Sequence, residues 1–273
     1  MGKDSMPVNK LILRPDVKGR FEEVLHEKAS AFLASVASAV SSNPSLSGCD
    51  PMSVMGSAMI AATLDLPINQ NLGFAYIVPY KTKGVARAQF QMGYKGYIQL
   101  AIRTGQYKTI AVKAIYEDEI ESFDDITEEI VFTARESRKM RKAGDPKNIV
   151  GYYAYFKLTS GFEKFIFRYT EEVEKHARQY SANYRKYGSG LWADNFESMA
   201  QKTVLKELIS KWGIMSTQME KAVNYDYGTV KFGKEDVEYL DNQDESNADM
   251  VVDVKEMAGE IFDDADEPTE TTE

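Results

Sequence analysis

Basic and aromatic side chains share one stretch of the sequence from which acidic residues are missing. Asp65 and Glu117 bound this stretch, and no Asp or Glu lies between them although the chain contains 42. Its basic residues are Lys81, Lys83, Arg87, Lys95, Arg103, Lys108 and Lys113, and tyrosines such as Tyr76, Tyr80, Tyr94 and Tyr97 are interleaved with them. Cations for phosphates and ring faces for bases are what a binder of single-stranded nucleic acid needs. For most of the tyrosines we expect burial in the core instead, since alternation assigns them to buried faces, but a merely solvated basic surface leaves the missing acids unexplained.

A second polar set lies on a helix predicted from Ser189 to Trp212. Its members recur every three or four residues, opposite apolar positions, and are Asn195, Ser198, Lys202 and Lys206. Arg185 and Lys186 precede this helix in a loop that contains several Tyr and Gly residues. We expect these residues to face solvent as one wall of a basic groove for nucleic acid. The opposite wall is predicted to consist of Lys81, Lys83, Arg87, Gln91, Tyr94, Lys95, Gln99, Arg103 and Lys108.

Hydrophobic periodicity predicts the elements that position these residues. Alternation over Phe74 to Tyr80 and over Ala86 to Met92 predicts a hairpin with a basic tip, and a helix from Tyr94 follows and stops at Gly105. Further strands are predicted at Tyr107 to Tyr116, Ile149 to Leu158, Phe162 to Tyr169 and, more weakly, Ile130 to Ala134. Further helices are predicted at Val17 to Val40, Pro51 to Leu64 and Thr170 to Ser181, the last capped by Thr170. The order predicts an α+β fold, a small antiparallel sheet with a hairpin packed by helices.

The net charge of −9 is distributed unevenly along the chain. Residues 235–273 carry 16 acidic residues and one Lys, so residues 1–234 have a net charge of +6. We therefore predict one folded nucleic-acid-binding domain over residues 1–234 and an acidic, mostly disordered tail over residues 235–273. Met250 to Phe262 is the one part of the tail with enough apolar residues to form a helix on a partner. A tail that serves only solubility is the alternative.

Enzyme classes find little support in the sequence. There is neither a GxxxxGK[ST] phosphate loop nor a GxGxxG motif, and one Cys with two His residues is too few for a structural zinc site. We expect no catalytic residue, cofactor or metal. The acidic run from Glu117 to Glu129 could in principle hold Mg²⁺ for a nuclease, but such runs are more often solvated loops. The longest apolar stretch, Ala31 to Val40, is too short to span a membrane, so we expect a soluble intracellular protein.

Three blocks of the sequence resemble the RecT family of phage and prophage single-strand annealing proteins. They are LPINQNLGFAYIVPY at Leu66 to Tyr80, QMGYKGYIQLAIRTGQ at Gln91 to Gln106 and WADNFESMAQKTVLKELISKW at Trp192 to Trp212. The resemblance is to the type found in prophages of Gram-positive bacteria and covers about residues 20–225. The family's GY-basic-G block falls on Gly93 to Gly96, and its paired lysines fall on Lys202 and Lys206.

This resemblance implies ATP-independent annealing of complementary DNA strands during phage recombination. It also implies a distant kinship of fold with Red beta and Rad52-type annealing proteins, and rings or helical filaments whose subunits line one groove for single-stranded DNA and the nascent duplex. A phage exonuclease and a host single-strand binding protein are implied partners, with the tail as a candidate contact. Two alternatives stay open, a single-strand binder that does not anneal and a Mg²⁺-dependent nuclease. Mixing complementary oligonucleotides with the protein, without ATP, separates the three.

Overall fold

The computed structural model describes residues 6–82, 84–134, 148–230 and 232–233. Lys83 and the predicted tail with its Met250 to Phe262 segment lie outside these residues. The α-helices are α1 (Val8–Leu11), α2 (Pro15–Leu25), α3 (Ala29–Ser42), α4 (Pro44–Ser47), α5 (Pro51–Thr63), α6 (Tyr94–Arg103), α7 (Thr170–Tyr180), α8 (Ala182–Tyr187), α9 (Leu191–Asp194), α10 (Phe196–Trp212) and α11 (Thr217–Tyr225). The strands are β1 (Ala75–Thr82), β2 (Val85–Met92), β3 (Tyr107–Tyr116), β4 (Ile120–Asp124), β5 (Glu129–Phe132), β6 (Ile149–Leu158) and β7 (Glu163–Tyr169). The fold class is α+β, as predicted.

The N-terminal helices form a layer around α5. The single helix predicted from Val17 to Val40 is wrong in one respect, because the backbone of His26 has φ 51° and separates α2 from α3. The Asp50 carboxylate accepts a hydrogen bond from the Met52 N–H and so caps α5. Helix α5 is buried on most of its surface because α1, α2, β1 and β2 pack around it.

The predicted hairpin is confirmed as β1 and β2, which pair antiparallel from Ala75 opposite Met92 to Thr82 opposite Val85. The apolar side chains of Ala88, Phe90 and Met92 are buried, and β2 packs on α5. The outer edge of β2 is occupied by a segment from near the end of the described chain. Tyr227 N–H donates to the Phe90 carbonyl at 3.0 Å, and Phe90 N–H donates to the Gly228 carbonyl at 3.0 Å. Val230 then passes so close to Gly56 that a Cβ there would lie 1.8 Å from the Val230 carbonyl oxygen.

A second, three-stranded sheet has the antiparallel order β3, β6, β7 and packs against α10. The separate hairpin of β4 and β5 contacts the aromatic residues of this sheet, with the Phe123 ring 5.0 Å from that of Phe167 and the Phe132 ring 5.3 Å from that of Tyr153. Strand β4 was not predicted because the acidic run was interpreted as a loop. The strand is extended because it pairs with β5 and places the Phe123 ring against the sheet.

The late helices depart from the sequence prediction at three places. The helix predicted from Ser189 to Trp212 is interrupted at Asn195, whose backbone is not helical, so α9 and α10 are separate. The loop that contains Arg185 and Lys186 is the short helix α8, capped by the Ser181 side chain. Helix α7 is preceded by Tyr169 as its N-cap, while the Thr170 hydroxyl donates to the Ile149 carbonyl instead of capping the helix.

Candidate nucleic-acid interface

The start of α6 is held against the backbone that precedes β1. A Cβ on Gly93 would lie 2.1 Å from the Gly73 carbonyl oxygen, and a Cβ on Gly96 would lie 2.2 Å from the Phe74 carbonyl oxygen. Gly93 N–H also donates to the Phe74 carbonyl at 2.9 Å. The two glycines of the Gly93 to Gly96 block are therefore explained by close backbone packing. The residues between them, Tyr94 and Lys95, are placed on the first turn of the helix.

Lys95 is the exposed cation of this turn. Among the described residues no carboxylate lies within 4 Å of its ammonium group. Tyr94 is half-buried beside Tyr76, and burial, with a smaller contribution from Tyr94, raises the pKa of the Tyr76 hydroxyl. Gln99 is half-buried one helical turn after Lys95. Lys95 thus has its charge available to an external phosphate, with a supported aromatic side chain next to it.

Arg103, the third member of the predicted stripe on α6, has protein partners. Its guanidinium donates to the Leu64 carbonyl at 2.7 Å and to the Asp65 carbonyl at 2.8 Å. These carbonyls lie just after the C-terminus of α5, where unpaired acceptors and the negative end of the helix dipole favour a cation. Arg103 therefore joins α6 to α5, and two of its nitrogen atoms are already occupied.

The predicted residues of the hairpin lie at different depths. Lys81 is exposed near the tip, and Arg87 is half-buried opposite Tyr80. Gln91 is 7% exposed, so the prediction that it faces solvent is wrong. The physical reason is that both faces of β2 are covered near α6, so neighbouring residues that point to opposite faces are all buried there. Lys108 is exposed at the start of β3.

The prediction that Lys202 faces solvent is also wrong, because its side chain is 3% exposed. Its ammonium group lies 2.8 Å from Asp226 Oδ1 and 3.9 Å from the centre of the Tyr227 ring. Burial lowers the pKa of the Lys202 ammonium group, and the charge of Asp226 opposes that effect. Lys206 keeps 29% of its side chain exposed and lies 3.5 Å from Asp226 Oδ2. The lysine pair therefore shares one buried carboxylate.

The remaining predicted residues of this wall are exposed but are distributed over separate elements. Asn195 and Ser198 lie at the start of α10. Arg185 and Lys186 lie at the end of α8, which packs on α7. The structure thus brings α6 and α10 into contact with each other, while α8 is attached through α7.

Sequence reasoning missed Asp226, which is completely buried between these elements. No periodic signal marks it, since it follows α11 and precedes the segment that pairs with β2. A second buried titratable group near this site is His176 on α7, whose ring lies 4.5 Å from that of Tyr180. Burial lowers the pKa of His176, Glu207 opposes that effect and Lys206 adds to it.

Several carboxylates of the acidic run have partners within the protein. Glu119 accepts a hydrogen bond from the Tyr116 N–H, and the Asp124 carboxylate accepts from the Ile126 and Thr127 N–H groups. Glu128 forms an ion pair with Lys164. Within the described ranges no three His, Cys, Asp or Glu side chains converge as a metal site. In the same ranges no helix combines the length and apolar character needed to cross a lipid bilayer.

Comparison with known proteins identifies the family. The model of the RecT family matches residues 30–239, which is more than half of the chain. The chain belongs to the RecT family. It is 49% identical over 215 residues to the uncharacterized protein YqaK of Bacillus subtilis, an alignment that covers 78% of this chain and 69% of YqaK. It is 25% identical over 222 residues to Protein RecT of Escherichia coli, covering 79% of this chain and 78% of that protein.

The part matched by the RecT family model includes every element of the candidate interface. It begins in α3 and contains the hairpin, α6, α10 and Asp226, whereas α1 and α2 lie before it. At the family level, membership supports annealing of single-stranded DNA in recombination, and the prediction of a RecT resemblance is confirmed.

Proposed function

We propose that this protein anneals complementary DNA strands without ATP and that the first turn of α6 holds the bound strand by its phosphates. The observation that carries this proposal is Lys95, an exposed cation without a carboxylate within 4 Å among the described residues. It sits on a turn fixed by the Gly93 and Gly96 contacts, in the RecT family match. Lys81 and Lys108 are further exposed cations of the same acid-free stretch.

Annealing makes and breaks no covalent bond, so the protein has to hold a strand while its base edges stay free to pair. Contacts to phosphates do this for any sequence, because the phosphates carry no sequence information. The second strand is then selected by base pairing alone. The exposed lysines supply such contacts, whereas Lys202 and Arg103 stabilise the elements on which they lie.

Several copies of the chain are proposed to align their basic surfaces into one groove in a ring or helical filament. A continuous groove would hold single-stranded DNA and the nascent duplex over a length that one subunit cannot cover. The acidic tail is proposed to contact a phage exonuclease or a host single-strand binding protein in the bacterial cytoplasm. The domain boundary after residue 234 is part of this proposal.

Salt-dependent binding tests the assignment of Lys95. For full-length protein and a mixed-sequence oligonucleotide, we expect Lys95→Ala to weaken binding equally for all sequences. The slope of log K against log[salt] is negative, and its magnitude should decrease by about 0.7 for each phosphate of a single strand that the protein no longer neutralises. The matched control is Lys10→Ala, which removes an exposed lysine on α1, before the family match. A slope that is unchanged by Lys95→Ala, or losses of affinity that depend on base sequence, would contradict the assignment.

A further inference from the structure

The carboxylate of Asp226 receives hydrogen bonds and charge contacts from four groups although the side chain is fully buried. Oδ1 accepts from the Lys202 ammonium at 2.8 Å and from the Met92 N–H at 3.0 Å. Oδ2 accepts from the Tyr97 hydroxyl at 3.1 Å and lies 3.5 Å from the Lys206 ammonium. Burial, with a contribution from Asp226, raises the pKa of Tyr97 well above its ordinary value, so the hydroxyl keeps the proton it donates. Both oxygen atoms of the carboxylate therefore have two partners each within the protein.

The four donors come from three elements that converge on this carboxylate. Met92 ends β2, Tyr97 lies on α6, and the two lysines lie on α10. Directly after Asp226, Tyr227 pairs with Phe90 of β2 and places its ring against the Lys202 ammonium. The carboxylate thus connects the β2 to α6 junction, which carries Tyr94 and Lys95, with α10.

We propose that Asp226 is a positioning residue for DNA binding: together with Lys202 it fixes the first turn of α6 relative to α10. This inference rests on the proposed function, because it assumes that the turn with Lys95 contacts the strand. Lys202 then acts on DNA only through Asp226. Its ammonium group is enclosed between a carboxylate and an aromatic ring, so it reaches no phosphate without displacement of both.

The direction in which one substitution changes DNA affinity separates this role from direct phosphate binding. Asp226→Asn removes a negative charge from a DNA-binding protein, which by electrostatics alone would tighten binding. If Asp226 positions α6, the same substitution leaves the buried Lys202 charge unpaired, disturbs the junction and weakens binding. Lys202→Met combined with Asp226→Asn removes both charges and should restore the junction. If Lys202 instead held a phosphate itself, the second substitution would restore nothing.

The experiment measures oligonucleotide affinity of full-length variants at fixed salt, with circular dichroism to confirm folding. We expect Asp226→Asn and Lys202→Met each to weaken binding on the order of tenfold, and the double variant to recover most of that loss, as coupled neighbours do. Glu220→Gln, which neutralises an exposed acid on α11, is the matched control and should not weaken binding. Tyr97→Phe removes a single donor and should weaken binding by about threefold.

Binding of Asp226→Asn that equals or exceeds that of the wild type would overturn the inference. So would a double variant that binds as weakly as Lys202→Met alone. If a single variant does not fold, Tyr97→Phe and the double variant decide: wild-type affinity of Tyr97→Phe together with an unrescued double variant contradicts the positioning role. Lys95→Ala separates the two proposals. If Lys95→Ala binds DNA as tightly as the wild type, the first turn of α6 is not the DNA site and the proposed function is contradicted. If Lys95→Ala binds more weakly while the Asp226 variants bind normally, only the positioning role of Asp226 is contradicted.

Discussion

Replacing Gly96 by Ala tests whether the glycines of the family block serve packing or DNA contact. The new Cβ would lie 2.2 Å from the Phe74 carbonyl oxygen and 2.9 Å from the Met92 methyl group. The Phe74 carbonyl cannot simply withdraw, since it accepts the Gly93 N–H. Overpacking of this kind costs about 1–3 kcal/mol and a weakened hydrogen bond about 1 kcal/mol, against a helix-propensity gain of about 1 kcal/mol. We expect a net loss of about 1–3 kcal/mol of unfolding free energy.

Gly19 provides the matched control because it lies inside α2 and, apart from its chain neighbours and the backbone of its own helix, no atom lies within 4 Å of its hypothetical Cβ. Gly19→Ala should therefore stabilise the protein by about 0.5–1 kcal/mol. The assay is urea unfolding followed by circular dichroism, with oligonucleotide binding measured on the folded protein. If Gly96→Ala is as stable as the wild type but binds DNA weakly, the glycine makes room for DNA and the packing argument is refuted.

Three further predictions concern other parts of the chain. His176 titrates below its ordinary pKa, so the unfolded state binds the proton first and stability should fall as the pH drops through about 6.5. Urea unfolding at several pH values should show a flatter profile for His176→Gln, with replacement of exposed His26 by Asn as the control. Asp124→Asn with Asp125→Asn should leave annealing intact, and Mg²⁺-dependent nucleotide release by the wild type would refute the non-nuclease prediction. Deletion of residues 235–273, net −15, should tighten strand binding, most strongly at low salt. Weaker binding or a lower melting temperature would place the tail in the fold or the groove.

The elements predicted best from the sequence are those with a clear period. The hairpin of β1 and β2, the helix α6 and the strands β3, β6 and β7 lie within a residue or two of their predicted bounds. The breaks at His26 and Asn195 were missed because each is a backbone change inside an uninterrupted helical pattern. Periodicity shows which residues share one face of a helix. It does not show where the backbone of that helix is interrupted.

The sequence predicted which residues belong to the candidate site, but it did not predict how deeply each side chain is buried. A helical stripe shows that Lys202 and Lys206 share one side of α10, but which side meets a neighbour depends on tertiary contacts. Lys202 is buried by Asp226, a residue 24 positions later that has no signal of its own. Lys95 was predicted to be exposed and is exposed, because the opposite, apolar side of α6 is the side that packs on the core.

Annealing kinetics test the central claim most directly. One oligonucleotide carries a fluorophore and its complement a quencher, and duplex formation is followed after mixing with the protein in the absence of ATP. The account predicts faster quenching than in buffer, for any sequence, with Lys95→Ala slower than the wild type and Lys10→Ala equal to it. Unchanged or slower duplex formation would identify a protein that binds single strands without annealing them, and would contradict the account.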